Sequence, residues 1–378
     1  MTEQGGSRRK PFLFAVFFSL FLVWGVKIPF SFCAELIAVP GGAVLRSILS
    51  WEDVSSVKVS LEGRGYDAFP EGGKVDFFFK QEDFCKGASY ELFIKETQEP
   101  IFQSLDHLCD SDDSSLTLAF ISDAQEFHEY HQKTALTLQH LTDLYPDLQL
   151  VINGGDLVQE GTKEEWRQYR AISSSYYSNR FPLVPVLGNH EFQGDPKLKW
   201  VDYFYKTEQI HGRYYLLDFG FAALIVLDSN VDMMSSEEQK QQTEWLVKTL
   251  ESLAQEKVIL VTYHHPAYSS GFGAIVMPVP PRYIRAKWLP LFKKYGVKLV
   301  LNGHEHIYER LNVDGVQYLV AGPAGGKMGR ANPVENRYSQ FNSPGKRTIS
   351  IIQVAQEGSV NIVSYDAEVG DIIDEYRF

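Results

Sequence analysis

Between residues 116 and 302 the chain repeats one arrangement: a short unbroken apolar run, a polar loop, then often a helical stretch. The apolar runs are Leu116–Ser122, Leu148–Asn153, Leu183–Leu187, Ala222–Asp228, Val258–Tyr263 and Val297–Asn302. Strands that face water on one side alternate apolar and polar residues. These do not, so they suit a sheet covered on both faces. Glu238–Leu253 brings Trp245, Leu246, Thr249 and Leu250 to one side at helical spacing, and Tyr283–Tyr295 does so with Trp288, Leu291 and Phe292. Such stripes face a core. Gln317–Gly322, Thr348–Val354 and Asn361–Tyr365 add further strands. The pattern predicts a layered α/β fold with large sheets between helices.

Composition changes at Asp110–Ser115, where Asp-Ser-Asp-Asp-Ser-Ser reads as a linker. Before it, the β-like pieces Val57–Leu61, Val75–Phe79 and Tyr90–Ile94 are separated by Gly, Pro and Asp turns. Residues 41–112 are therefore expected to form a small β-sandwich-like module without catalytic clusters, and 116–378 the catalytic domain. At the N-terminus Arg8, Arg9 and Lys10 precede an apolar run from Phe12 to Val26, ended by Lys27. Residues 1–34 read as a signal peptide or, because no small-x-small site precedes Ala34, as an uncleaved membrane anchor. Either places the body outside the cytoplasm: periplasmic, secreted, or anchored facing outward. In an oxidising compartment Cys85 and Cys109 can pair; two free buried thiols are the alternative. With no Cys-x-x-Cys spacing among the three cysteines, a zinc–thiolate site is unsupported.

Hydrophobic residues make up 44% and charged residues 22%, which fits a globular chain. A net charge of -12 with no long basic stripe argues against a general nucleic-acid binder. Small anionic substrates stay open, since a bound metal dominates its local field.

Residues able to hold metals stand at the ends of successive strands. The first strand leads to Asp123 and Gln125, the second to Asp156, and the third to Asn189, His190 and Glu191. Later strands lead to His264 and His265, then to His304 and His306. The carboxyl ends of α/β strands converge on one crevice. Singly, an Asp after a strand is an ordinary helix cap and Gly-Asn an ordinary turn. Five such segments in order, each closing an apolar strand, point to a shared site. Glycines at 155, 188 and 303 allow tight turns that aim the next side chain inward. No Gly-x-Ser-x-Gly and no P-loop is present, so serine-hydrolase and P-loop chemistry are excluded.

In this order the segments resemble the calcineurin-like metallophosphoesterases. Gly-His-Glu-His-Ile-Tyr-Glu-Arg (303–310) and His-His-Pro-Ala-Tyr-Ser-Ser (264–270) are most similar to the purple acid phosphatase branch. The motif resemblance covers about residues 116–326; that of the N-terminal module is looser. It implies a four-layer αββα sandwich preceded by a small all-β module. It also implies two divalent or trivalent metal ions (Mn, Fe or Zn). Asp123 and His306 would hold the first, Asn189, His264 and His304 the second, and Asp156 would bridge both. Two cations about 3.5–4 Å apart repel, so a carboxylate between them is needed. A bridging hydroxide would attack phosphorus in line, with His190 contacting the phosphate or protonating the leaving oxygen.

Gln125 stands where many family members carry His and the purple branch Gly. It would serve as an amide-oxygen ligand or as a hydrogen-bond partner of bound water. Gln159 stands where the purple branch has a ligating Tyr, so an iron–tyrosinate chromophore is not expected. Glu191 either orients His190 or is a surface residue, and His265 is a further candidate at the site. Tyr268 lines the cleft or packs in the core. His128 and His131 rim the site or are solvated at a helix start, while His140 and His211 read as structural. Gly322–Gly326 should return the chain tightly beside the cleft. The implied activity is hydrolysis of phosphate monoesters on a phosphorylated small molecule. Phosphodiesters, nucleotides or phosphoproteins are alternative substrates, and a non-catalytic phosphate-binding surface protein is the alternative class.

Overall fold

The structure, a computed structural model, describes residues 34–40, 42–48, 54–61, 64–68, 74–94, 101–105, 108–109, 114–194, 213–253, 257–332 and 336–378. The apolar leader, Cys33 and His211 lie outside them. Strands β1–β7 are Ala34–Val39, Gly42–Ile48, Val54–Leu61, Arg64–Ala68, Lys74–Lys80, Ser89–Ile94 and Ile101–Ser104. Strands β8–β14 are Ser115–Ile121, Leu148–Asn153, Leu183–Pro185, Tyr215–Asp218, Ala222–Val226, Val258–Thr262 and Leu299–Asn302. Strands β15–β20 are Tyr308–Val313, Val316–Val320, Ser339–Ser343, Thr348–Ala355, Val360–Asp366 and Ile372–Arg377.

The apolar runs form the centres of two sheets. One is nine-stranded, in the order β20-β19-β18-β8-β9-β10-β1-β2-β5, and the other seven-stranded, in the order β11-β12-β13-β14-β16-β15-β17. Their facing sides share one core, in which Leu118, Phe120, Ile152 and Val184 of the first sheet meet Leu224, Leu260, Leu301 and Leu319 of the second. The far side of the seven-stranded sheet packs Ile225, Ile259, Val261 and Val300 against Leu246, Leu250, Ile284, Trp288 and Phe292 of the helices. Helices His128–Leu144 and Lys163–Tyr176 each bury one side and contact each other. Two sheets between helices make the expected αββα sandwich. The aromatic stripe expected over Tyr283–Tyr295 is carried by two helices, Val279–Lys287 and Leu289–Lys294. Pro290 explains the break, since it donates no backbone hydrogen bond and crowds the preceding turn.

The module expected over 41–112 does not close on itself. β2 and β5 pair antiparallel at the end of the nine-stranded sheet, and β1 joins them to β10 in parallel. Only β4-β3-β6-β7 form a separate four-stranded sheet, beside which Cys85 and Cys109 are disulfide-bonded. A buried network ties β1 to the helix Lys163–Tyr176 and the turn after it. Arg170 Nε lies 2.8 Å from Glu35 Oε2, and Ser173 and Ser178 donate to Glu35 Oε1. From Ala34 onward the described residues pack as one unit. Among the described residues no helix is long and apolar enough to cross a membrane.

Candidate metal centre

Strands β8, β9 and β10 run parallel, as do β12, β13 and β14. Their carboxyl ends therefore open on common edges, and the two edges are joined. Ser122 bridges to Pro323, and Ala324, Gly325 and Gly326 donate backbone hydrogen bonds to Ser122 and Asp123. This is the tight return expected over 322–326.

Backbone strain concentrates at this edge. Among the described residues, the non-glycine positions with left-handed backbone are Asp123, Glu126, Asp156, His304, His306 and Asp314. Asp123, Asp156, His304 and His306 are expected ligands. Non-glycine residues rarely sit there, and each costs on the order of 1 kcal/mol unless its surroundings hold it. Gly188 and Gly303 serve a different need from the one read in the sequence. Neither has a left-handed backbone, but a Cβ at Gly188 would meet Asp156 Oδ1 and one at Gly303 would meet Asp123 Oδ2. At Gly188 the Asp156 carboxylate leaves no room for a side chain; at Gly303 the Ser122 hydroxyl, 1.9 Å from where a Cβ would sit, does so before the Asp123 carboxylate.

Five of the six expected ligands, Asp123, Asp156, His264, His304 and His306, meet. His264 Nε2 lies 3.0 Å from Asp156 Oδ2 and 4.0 Å from Asp123 Oδ1. His306 Nε2 lies 3.3 Å from Asp123 Oδ1. The ligating atoms of Asp123, Asp156 and His264 fall within 4.8 Å of one another, and so do those of His264, His265 and His304. Carbonyl groups fix two rings. His264 Nδ1 is 2.8 Å from Gly154 O, and His306 Nδ1 is 2.5 Å from Lys327 O. A carbonyl only accepts, so Nδ1 carries the hydrogen and Nε2 faces inward. The His304 N–H donates to both Asp123 oxygens.

The residues suit cations. Asn189 Oδ1, His265 Nε2 and His304 Nε2 are buried polar atoms with no hydrogen-bond partner among the described residues. Such atoms are costly unless something binds them. Burial pushes the Asp156 carboxyl up, but His264, His190 and His304 hold it well below the usual range. Burial pushes His264 down, and Asp156 with Asp123 raises it to about 10; His306 is raised to about 9 by Asp123. Burial and the neighbouring His264 lower His304 to about 3. Without metal, protons on His264 and His306 balance the carboxylates. Oxygen and imidazole donors around paired carboxylates fit Mn, Fe or Zn.

His190 stands beside this group, its Nε2 4.0 Å from Asp156 Oδ2 and its Nδ1 2.6 Å from Gln159 O. It lines a cleft of about 390 Å³ with Gln125, Asp156, Gln159, His304 and His306. Gln125 is buried, and with its NH₂ turned inward it donates to Asp156 Oδ2 (3.2 Å) and O (3.0 Å).

Other expectations need correction. Glu191 is neither a surface residue nor a partner of the His190 ring. It is buried and accepts the backbone N–H groups of Asp156, Leu157 and Gly188, clamping two ligand loops together. Burial and the neighbouring Asp156 raise it to about 8. Tyr268 follows the second of its two readings: it packs on the helix-side core, its ring tilted 51° against Tyr338 with centroids 4.5 Å apart. His131 is fully buried, stacked on Tyr169 and 3.1 Å from Tyr177 Oη, and burial lowers it to about 3. His128 is half-buried and His140 exposed. Two residues the sequence reading missed act like Glu191. Glu305 accepts the Gly273 N–H, and Glu309 accepts the Ser270 N–H and hydroxyl. Glu305 stands between two expected ligands, whereas Glu309 lies three residues beyond His306 on β15, where a carboxylate on a buried strand is the only signal.

The sequence profile of the calcineurin-like phosphoesterase family matches residues 116–308, about half of the chain, and the chain belongs to that family. Its likeness to the purple acid phosphatase branch is borne out too. Purple acid phosphatase 3 of Arabidopsis thaliana is 26% identical over 52% of this chain and 58% of its own. The purple acid phosphatase PPD1 from yellow lupin seeds superposes with a TM-score of 0.71 at 17% identity, covering 91% of this chain and 73% of that one. The probable glycerophosphodiester phosphodiesterase GpdQ of Arcobacter nitrofigilis is 29% identical over 47% of this chain and 64% of its own. The chain thus spans less than two thirds of both sequence relatives.

Proposed function

We propose that this protein hydrolyses phosphate monoesters outside the cytoplasm, using two metal ions held by Asp123, Asp156, Asn189, His264, His304 and His306. The observation that carries this reading is the convergence of both carboxylates with three inward-facing imidazoles, beside buried donor atoms that have no hydrogen-bond partner among the described residues. When bound, the cations would supply positive charge to phosphoryl oxygens and acidify water. The chain's own part is to place and exchange protons. The Gln159 carbonyl keeps a hydrogen on His190 Nδ1, so Nε2 is the ring atom that faces the cleft; with both nitrogens protonated, Nε2 donates to a phosphate oxygen or gives its proton to the departing oxygen. Water adds oxygen to phosphorus, the bond to the alcohol breaks, and the proton ends on that alcohol.

Turnover of an aryl phosphate with added Mn or Zn tests this. We expect activity in the wild type and a loss of about 100-fold or more in His190→Ala. No turnover, together with an unchanged His190→Ala, sinks the enzyme reading. The relative named as a phosphodiesterase favours diesters as a second substrate class; bis-aryl phosphate turned over faster than the monoester would select it. Because Gln159 replaces the ligating tyrosine, iron-loaded protein should lack a visible charge-transfer band, which an absorption spectrum checks. Export is read from residues 1–34, and N-terminal sequencing of exported protein separates a cleaved leader from an anchor.

A further inference from the structure

From Ser269 to Pro281 the chain carries no charged side chain, yet it runs beside the cleft. Phe272 is 45% exposed, Ile275 61%, Val276 76% and Val279 51%. Exposed apolar side chains gathered in one short segment beside a cleft point to a place where something binds.

The patch is built. Glu309 holds Ser270 by its N–H and hydroxyl, the Gly271 N–H donates to Ser269 Oγ, and Glu305 accepts the Gly273 N–H at 2.7 Å. Glu309 is fully buried and Glu305 nearly so, which makes the base of this segment rigid. Glycine flanks Phe272 on both sides for a steric reason. A Cβ at Gly271 would meet Glu305 Oε2 at 2.0 Å, and one at Gly273 would meet the His304 ring at 2.7 Å. The backbone therefore lies against an expected metal ligand, and the side chain between the glycines is displayed at the cleft. Phe272 and Gly273 share the cleft with Met328, which is half-buried, and with His190 and His304. The exposed cations Lys327 and Arg330 stand on the same rim.

We infer that Phe272 and Met328 form an apolar subsite for the alcohol side of the substrate. The subsite would select phosphate esters of aromatic or aliphatic alcohols over esters of small hydrophilic ones. This rests on reading the cleft as a phosphoesterase site. The occupant follows from continuity: the apolar rim begins where the candidate ligands end, so an ester whose phosphate reaches His190 and His304 lays its alcohol portion on Phe272. A lipid surface is the competing occupant of the patch.

The test compares kcat/KM for 1-naphthyl phosphate and glycerol 3-phosphate, using the whole chain loaded with Mn. Wild type should prefer the naphthyl ester. In Phe272→Ser the ratio of the two should fall about 10-fold or more, and in Phe272→Leu it should stay within about threefold, since hydrophobic contacts discriminate on this scale. Equal loss on both esters in Phe272→Ser makes Phe272 a structural residue and overturns the subsite. Phe272→Ser that keeps the ratio but loses binding to anionic phospholipid vesicles assigns the patch to membrane and overturns it as well. Wild type that turns over glycerol 3-phosphate without preferring the naphthyl ester sinks the subsite alone. Turnover of neither ester sinks the phosphoesterase reading and the subsite with it.

Discussion

The two sheets bring different chemistry to the cleft. The nine-stranded sheet supplies Asp123, Asp156 and Asn189 from the ends of β8, β9 and β10. The seven-stranded sheet supplies His264, His304 and His306 from the ends of β13 and β14. One edge carries the negative charge and the other only imidazole. Neither is a centre alone: His264 and His304 from across the sandwich hold Asp156 down, and the carboxylates in turn raise His264 and His306. The site exists only where the shared core brings the sheets together, so its geometry depends on the packing of Phe120, Ile152, Leu260 and Leu301.

Removing one side at a time breaks the comparison. Asp156→Ala takes away the carboxylate that contacts His264 and stands near His190, and should lower kcat/KM by about 1,000-fold with loss of bound metal. His264→Ala removes an imidazole and should cost about 100-fold, with one metal per chain remaining by elemental analysis. If Asp156→Ala keeps both metals, the division of labour between the sheets is wrong. Glu191→Gln puts an amide NH₂ against backbone donors and should destabilise by about 1–3 kcal/mol, read by thermal denaturation. Its activity at low temperature should fall less than that of the ligand variants.

A gentler test uses pH. His264 and His306 are raised to about 10 and about 9, so both are protonated near neutrality before metal arrives. Loading must expel those protons, and affinity should rise with pH from about 6 to about 8. Calorimetry in buffers of different ionisation enthalpy would detect the release. An affinity flat across this range would mean that the imidazoles are not displaced by metal.

Much of this was legible because each ligand follows an apolar run that can only be a covered strand. The segments Ser-Asp, Gly-Asp, Gly-Asn-His and Gly-His-Glu-His mark strand ends whatever the pairing. The pairing itself was not legible. β1 contacts β10 across Ile37 and Leu183, far apart in sequence, and an apolar strand does not announce its neighbour. Asp110–Ser115 changes composition without dividing the packing, so β2 and β5 were grouped with β3 and β6 by position alone. Glu191, Glu305 and Glu309 were missed as loop clamps because a lone glutamate, whether next to a ligand or on the strand that follows, looks like ordinary surface. His131 misled in the same way, since a helix start says nothing of the tyrosines packed around it.

The placement of β1 carries a practical lesson for anyone shortening this polypeptide. The strand is internal, flanked by β10 on one side and β2 on the other. A version trimmed to the family-matched stretch would leave β10 with a bare row of amides and carbonyls, inviting pairing between molecules. It would also strand Arg170 in the interior without its glutamate, at a cost of about 3–5 kcal/mol. A shortened version that keeps this packing should therefore start no later than Ala34, well upstream of Asp123, the first candidate ligand.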